Sequence, residues 1–170
     1  MAIDQPFGGF WRRLVAYLID SIPLTVLVAF TLGPAIGLPE AMETYLRHRT
    51  DANRQAFIEK RNHCRNATAL VLVIYGTLCE GSALQGTLGK RVMRLRVTAS
   101  DGERLGWGRA FSRNCTKMLS FLPLALGLVW AAFDKRKQGW HDKIAGTLVW
   151  KYQPSLFDAR TVDIAPRGIE

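Results

Sequence analysis

RRLVAYLIDSIPLTVLVAFTLGPAIGL, residues 12–38, is the most apolar long run of the chain. From Leu14 to Leu38 it holds one formal charge, Asp20. About 20 apolar residues cross the hydrocarbon core of a bilayer, so this run is long enough to span. A charge at the centre of such a helix costs on the order of 2.5–3.5 kcal/mol on insertion scales. Asp20 is therefore expected to face the protein interior, to pair, or to carry a proton. Arg13 lies seven residues earlier. At about 100° per residue both side chains share one face, yet they stand about 10.5 Å apart along the axis, too far to touch within one straight helix. Arg13 and its neighbour Arg12 sit at the membrane boundary, where long basic side chains snorkel. Pro23 lacks an N–H and crowds the carbonyl of Ile19. A carboxylate beside freed carbonyls is a candidate cation or proton site. The alternative is a kinked helix with Asp20 held in a structural pair.

Two further apolar blocks follow. Residues 67–84 carry one charge, Glu80, and residues 118–133 carry none. The first of these is long enough to span. The second is short and fits a tilted span, an interfacial helix or a re-entrant segment. A soluble helical core is the competing reading of all three blocks. A secretory signal is the competing reading of the first, but the run exceeds the usual apolar length and contains Asp20. The pattern predicts an all-α membrane protein: two to three transmembrane helices, an amphipathic or re-entrant helix, and a small cytoplasmic β element. Residues 9–152 form the membrane domain and 153–170 a polar tail.

The connectors orient it. Residues 85–117 hold eight Lys and Arg against two acids, whereas 39–65 hold six against four. Counting Lys and Arg in short loops places the N-terminus and 85–117 in the cytoplasm and 39–65 outside, in a multi-pass protein of the cell membrane. Residues 41–65 suit a solvated or surface-lying helix. Glu80, four residues before Leu84, is expected at the headgroup rim. Tyr75, Trp107, Trp130, Trp140 and Trp150 fit interfacial belts. In 89–107 the pattern reads as a strand, a turn at Asp101-Gly102 and a second strand, and 145–152 reads as another strand. Arg109, Arg113 and Lys117 recur at steps of four on one helical face, the pattern of a basic helix on an anionic leaflet.

The formal net charge is +9. Because the basic connectors alternate with membrane-length blocks, lipid headgroups are the expected partner and nucleic acid is not. Cys64, Cys79 and Cys115 lack paired spacing, so neither a disulfide framework nor a metal site is expected. His48, His63 and Cys64 lack ligand spacing too. GTLGKR, 86–91, is not a phosphate loop, since Arg91 follows the lysine; it reads as a tight exit from the membrane. His141-Asp142 is a neighbouring pair and not by itself a catalytic dyad. No cofactor and no enzymatic activity are expected.

RLVAYLID (13–20), GTLGKRVMRLRV (86–97), RAFSRN (109–114) and FDKRKQGWHDKIAGTLVW (133–150) together resemble the RDD family of small bacterial membrane proteins. The resemblance covers Gly9 to Trp150, apart from the 39–65 connector. The name denotes one arginine and two aspartates, and these match Arg13, Asp20 and Asp142, with Arg12 as a neighbouring candidate. Family membership implies an integral membrane protein, with transport, including cation/proton exchange, as the usual suggestion. The expectation is a homo-oligomer moving a small solute or cation. Asp20 would be the protonatable site, Arg13 and Asp142 its charge partners, and Arg12, Glu80 and His141 secondary candidates. The competing expectation is a non-transporting adaptor binding anionic lipid or an unidentified protein, in which the charges only hold the fold.

Overall fold

A computed structural model describes residues 7–121, 130–131, 134 and 136–151. Most of the third apolar block and the 153–170 tail lie outside the described residues. The long apolar run forms α1, Phe10–Ala35, in which Pro23 is interior. Then come α2, Leu38–Arg47, and α3, Asp51–Gly81. Past a short loop lie α4, Leu88–Val92, β1, Leu95–Ala99, and α5, Trp107–Phe121. The last elements are α6, Trp140–Ala145, and β2, Thr147–Lys151.

Among the described residues, α1 is the one helix long and apolar enough to cross a membrane. The second apolar block is not a separate helix. It is the C-terminal half of α3, continuous with a polar N-terminal half that belongs to the connector. Both α1 and α3 leave large apolar side chains uncovered. On α1 these include Ile22, Val26, Leu27 and Phe30, the last 78% exposed. On α3, Leu70, Ile74 and Leu78 are exposed, a stripe with the period of one helical face.

The chain divides into two compact units. Ser21–Leu72 comprises the end of α1, α2 and the start of α3. Here the chain turns through Gly37 in the left-handed region (φ 69°). Lys60 Nζ donates to the Gly37 carbonyl at 3.1 Å, and Tyr45 stacks on Phe57 at 5.9 Å. The single solvated helix expected of 41–65 is instead two helices, α2 and the start of α3, separated by residues 48–50.

The other unit brings the start of α1 together with the elements that follow residue 73. β1 and β2 pair antiparallel with Val97 opposite Val149. The second strand expected after the Asp101-Gly102 turn does not form. The turn itself does: Gly102 takes φ 87° and its N–H bonds the Ala99 carbonyl at 3.0 Å. β1 takes its partner from 147–151, because Val97 and Ala99 then bury with Val149 in one apolar cluster that includes Ala16 of α1. Phe7 and Gly8 extend this pairing: the Gly8 N–H bonds the Val149 carbonyl at 2.8 Å, and the Phe7 ring lies 4.8 Å from that of Trp150. Trp150 donates to the Thr98 hydroxyl at 2.8 Å, whereas Trp107, Trp130 and Trp140 are exposed.

Candidate functional site

Asp142 sits in the first turn of α6, where its Oδ2 accepts the N–H of Gly139 at 3.0 Å, capping the helix start. The same carboxylate accepts from two arginines drawn from distant parts of the chain. Arg13 of α1 donates to Oδ2 through Nη1. Arg113 of α5 donates to Oδ1 through Nε at 3.0 Å and Nη2 at 2.6 Å. Arg13 is itself anchored by a bond from Nε to the Gly8 carbonyl at 2.7 Å. Burial alone would raise the Asp142 carboxyl; the Arg113 charge, aided by its other neighbours, outweighs it and holds the group well below the usual carboxylate range.

Arg113 extends the chain of charges. Its Nη1 donates to Glu80 Oε2 at 2.8 Å. Burial would lower Arg113, and the flanking carboxylates of Glu80 and Asp142 more than offset it. Glu80 accepts three further bonds: from Asn114 Nδ2 at 3.2 Å, from Lys117 Nζ at 3.1 Å, and from Lys90 Nζ. Lys117 also donates to Asn114 Oδ1 at 2.6 Å. The approach of α5 to α3 depends on Gly76, where a Cβ would stand 2.6 Å from Asn114 Oδ1. Glu80, Asp142 and Arg113 are at most 1% exposed. Taking such charges out of water is costly unless each is paired and hydrogen-bonded, and here both carboxylates accept four bonds.

Two expectations are corrected by this cluster. Glu80 is not at a headgroup rim; it is wholly buried, because three basic side chains and Asn114 converge on it. Arg113 and Lys117 do not face lipid. Their side of α5 turns inward, since that is where the carboxylates are. Of the three basic residues on that face only Arg109 is exposed, 3.8 Å from Asp101. Arg12 is also exposed.

Asp20 has a separate setting. Its Oδ2 accepts the Thr87 hydroxyl at 2.5 Å, and its Oδ1 accepts the Gly89 N–H at 2.8 Å and the Tyr75 hydroxyl at 3.0 Å. Tyr75 in turn accepts the Leu88 N–H at 2.9 Å. The sequence allowed a basic group, a proton or a cation as the partner of Asp20. The structure supplies neutral donors from the start of α4 and from α3. Sequence reasoning missed Thr87, Gly89 and Tyr75 in this role. The signal available was the glycine: a Cβ at position 89 would stand 2.1 Å from the Ala16 carbonyl oxygen and 2.8 Å from Asp20 Oδ2. Only glycine lets the backbone N–H approach. Arg13 and Asp20 are thus used separately, as their spacing on α1 requires.

His141 is 3% exposed, and its Nε2 lies 3.4 Å from Asp142 Oδ1. Burial drives its pKa down to about 3, against the pull of Asp142, so the ring is neutral at pH 7 and the pair is not an ion pair. Among the described residues its Nδ1 has no hydrogen-bond partner, and neither does Arg13 Nη2, although both are buried. Burial also pushes Lys90 well below the ordinary lysine range, against the attraction of Glu80, and lowers Lys117.

Arg13, Lys90, Arg113 and Asp142 of this cluster lie in the segments that carry the resemblance noted above, and comparison with known proteins agrees. No solved structure matches the chain. It is 29% identical over 155 residues to the uncharacterized protein YxaI of Bacillus subtilis (strain 168), covering 86% of this chain and 98% of that one. To the uncharacterized protein YckC of the same organism it is 29% identical over 154 residues, 88% and 87% of the two chains. To the proline-rich antigen of Mycobacterium leprae (strain TN) it is 26% identical over 151 residues, 82% of this chain and 59% of that longer one. The family model described as RDD family matches residues 7–146, which include Arg13, Asp20, Glu80, Arg113 and Asp142, and the chain therefore belongs to the RDD family.

Proposed function

We propose that this chain is a multi-pass protein of the cell membrane, with a cytoplasmic N-terminus, that takes part in moving a small ionic solute as a homo-oligomer. One observation carries the reading. A buried cluster of two acids and four bases takes Arg13 from α1 and Glu80 from α3, helices that also expose large apolar side chains, and its other members from α4, α5 and α6. Exposed apolar stripes of this extent suit a hydrocarbon solvent, and ionisable groups beside them are the usual markers of an ion pathway. Two or three spans are too few to enclose a path alone, hence the oligomer. The role belongs to the Glu80 corner and not to Asp20, whose oxygens are already occupied by Thr87, Gly89 and Tyr75. No chemical conversion of a substrate enters this reading.

Purified protein reconstituted in vesicles tests it. Proton flux driven by a Na⁺ or K⁺ gradient is expected to exceed that of empty vesicles and to be lost in Glu80→Gln. Flux equal to that of empty vesicles, or undiminished in a folded Glu80→Gln protein, sinks the assignment.

The second reading is a membrane adaptor in which the charges only hold the fold. The saturation of Asp20 and Asp142 by hydrogen bonds favours it. Co-purification of a stable partner, with no flux, would select it.

A further inference from the structure

The buried cluster is short of acceptors. Glu80 accepts four hydrogen bonds and Asp142 four. The donors are not used up. An ammonium has three N–H groups; among the described residues Lys90 bonds Glu80 alone, and Lys117 bonds Glu80 and Asn114. Arg13 Nη2 is buried without a partner among the described residues. The formal charges agree with this count. Arg13, Lys90, Arg113 and Lys117 against Glu80 and Asp142 leave 4 − 2 = +2, and adding the nearby Asp20 still leaves +1.

The surplus is concentrated at one place. Lys90 and Lys117 converge on the same oxygen, Glu80 Oε1. Two ammonium groups on one oxygen repel each other, and their remaining protons point away from it. Lys117 is 22% exposed and Lys90 11%, so this corner is where the cluster opens to its surroundings. A group with several negative oxygens meets both needs: it offsets the excess charge and accepts the unused protons.

We propose that Lys90 and Lys117, held apart by Glu80 and backed by Asn114, form a binding site for an oxyanion of the phosphate type. Such an oxyanion reaches the site either as a free solute or as the headgroup of an anionic phospholipid. The ammonium protons not taken by Glu80 and Asn114 donate to its oxygens.

The test uses the full chain in a neutral detergent. Inorganic phosphate is titrated calorimetrically in one arm, and short-chain phosphatidylglycerol in the other, with chloride at matched ionic strength as background. Saturable binding in either arm is expected. Binding of phosphate identifies a free solute, and binding of the lipid alone identifies a headgroup. The affinity is expected to fall at least tenfold in Lys117→Met and in Lys90→Met, and to be unchanged in Arg109→Gln, whose side chain lies outside the cluster. Should Lys90→Met fail to fold, Lys117→Met decides. No saturable binding in either arm overturns the site, as does binding that both folded lysine variants retain at full strength. Binding without vesicle flux upholds the site and removes the transport reading; flux without binding does the reverse.

Discussion

Arg113 joins Asp142 through two nitrogens, Nε at 3.0 Å and Nη2 at 2.6 Å, both on Oδ1, while its remaining terminal nitrogen reaches Glu80. One guanidinium thus ties α6 to α3 through α5. The fork of donors on arginine makes this possible, and the single ammonium of lysine does not reproduce it.

Removing Asp142 is therefore expected to be severe. Asp142→Asn leaves Arg13 buried without its anion and Arg113 with Glu80 alone. Breaking a buried pair this way costs about 3–5 kcal/mol. The expected result is little folded protein, or a melting temperature well below wild type, measured by size-exclusion profile and thermal scan. Arg113→Lys is expected to lie close to Asp142→Asn. A variant of either kind that melts like wild type refutes the structural weight given to this cluster.

At Gly89, alanine places a Cβ 2.1 Å from the Ala16 carbonyl oxygen, so α4 must retreat from α1 and the Asp20 contact opens. Loss of stability by about 1–3 kcal/mol is expected from the lost bonds to a carboxylate. Gly108→Ala, where a Cβ meets nothing within 4 Å, is the matched control and should be neutral or slightly stabilising, as helical Gly to Ala changes are. Thermal scans of the two variants side by side decide it.

Thr87→Val removes one donor to Asp20 and is expected to cost about 1.5–3 kcal/mol. Asp20→Asn should cost more, since an amide N–H₂ then faces the hydroxyl or N–H that the carboxylate had accepted. If Asp20→Asn is as stable as wild type, the neutral-donor account of Asp20 fails.

For His141 the sign of the pH effect follows from a pKa lowered to about 3 in the folded chain, against about 6.5 when unfolded. Between those values the unfolded state binds the extra proton. Stability is therefore complete above pH 6.5 and falls as the pH drops towards 3, by about 1.4 kcal/mol per unit. Asp142, also depressed, adds its own loss only at lower pH, below the ordinary carboxylate value, as the fall continues towards its folded pKa. His141→Phe should flatten the melting curve between pH 6.5 and 5. A wild-type melting temperature constant over that range contradicts a buried neutral ring.

Much of this was legible in the residues. The α1 run, the strand at 147–151 and the steps of four in α5 appear where local pattern places them, whereas Asp142 is singled out by the family resemblance. Periodicity tells which residues share a face; it does not tell what that face meets. A row of basic residues suits an anionic surface and a pair of buried carboxylates equally well, and the choice rests on Glu80 and Asp142, 33 and 29 residues away from Arg113. Glu80 looked peripheral for the same reason. So did Thr87 and Gly89, whose work is done on a carboxylate 67 and 69 residues earlier.

The Arg13–Asp142 contact spans 129 residues, and this sets an order on biosynthesis. The first helix leaves the ribosome carrying a guanidinium whose anion is among the last parts of the described chain to be made. Until α6 emerges, the nascent chain holds an unanswered charge at the base of its apolar helix. A chain that stops short of residue 142 keeps it permanently.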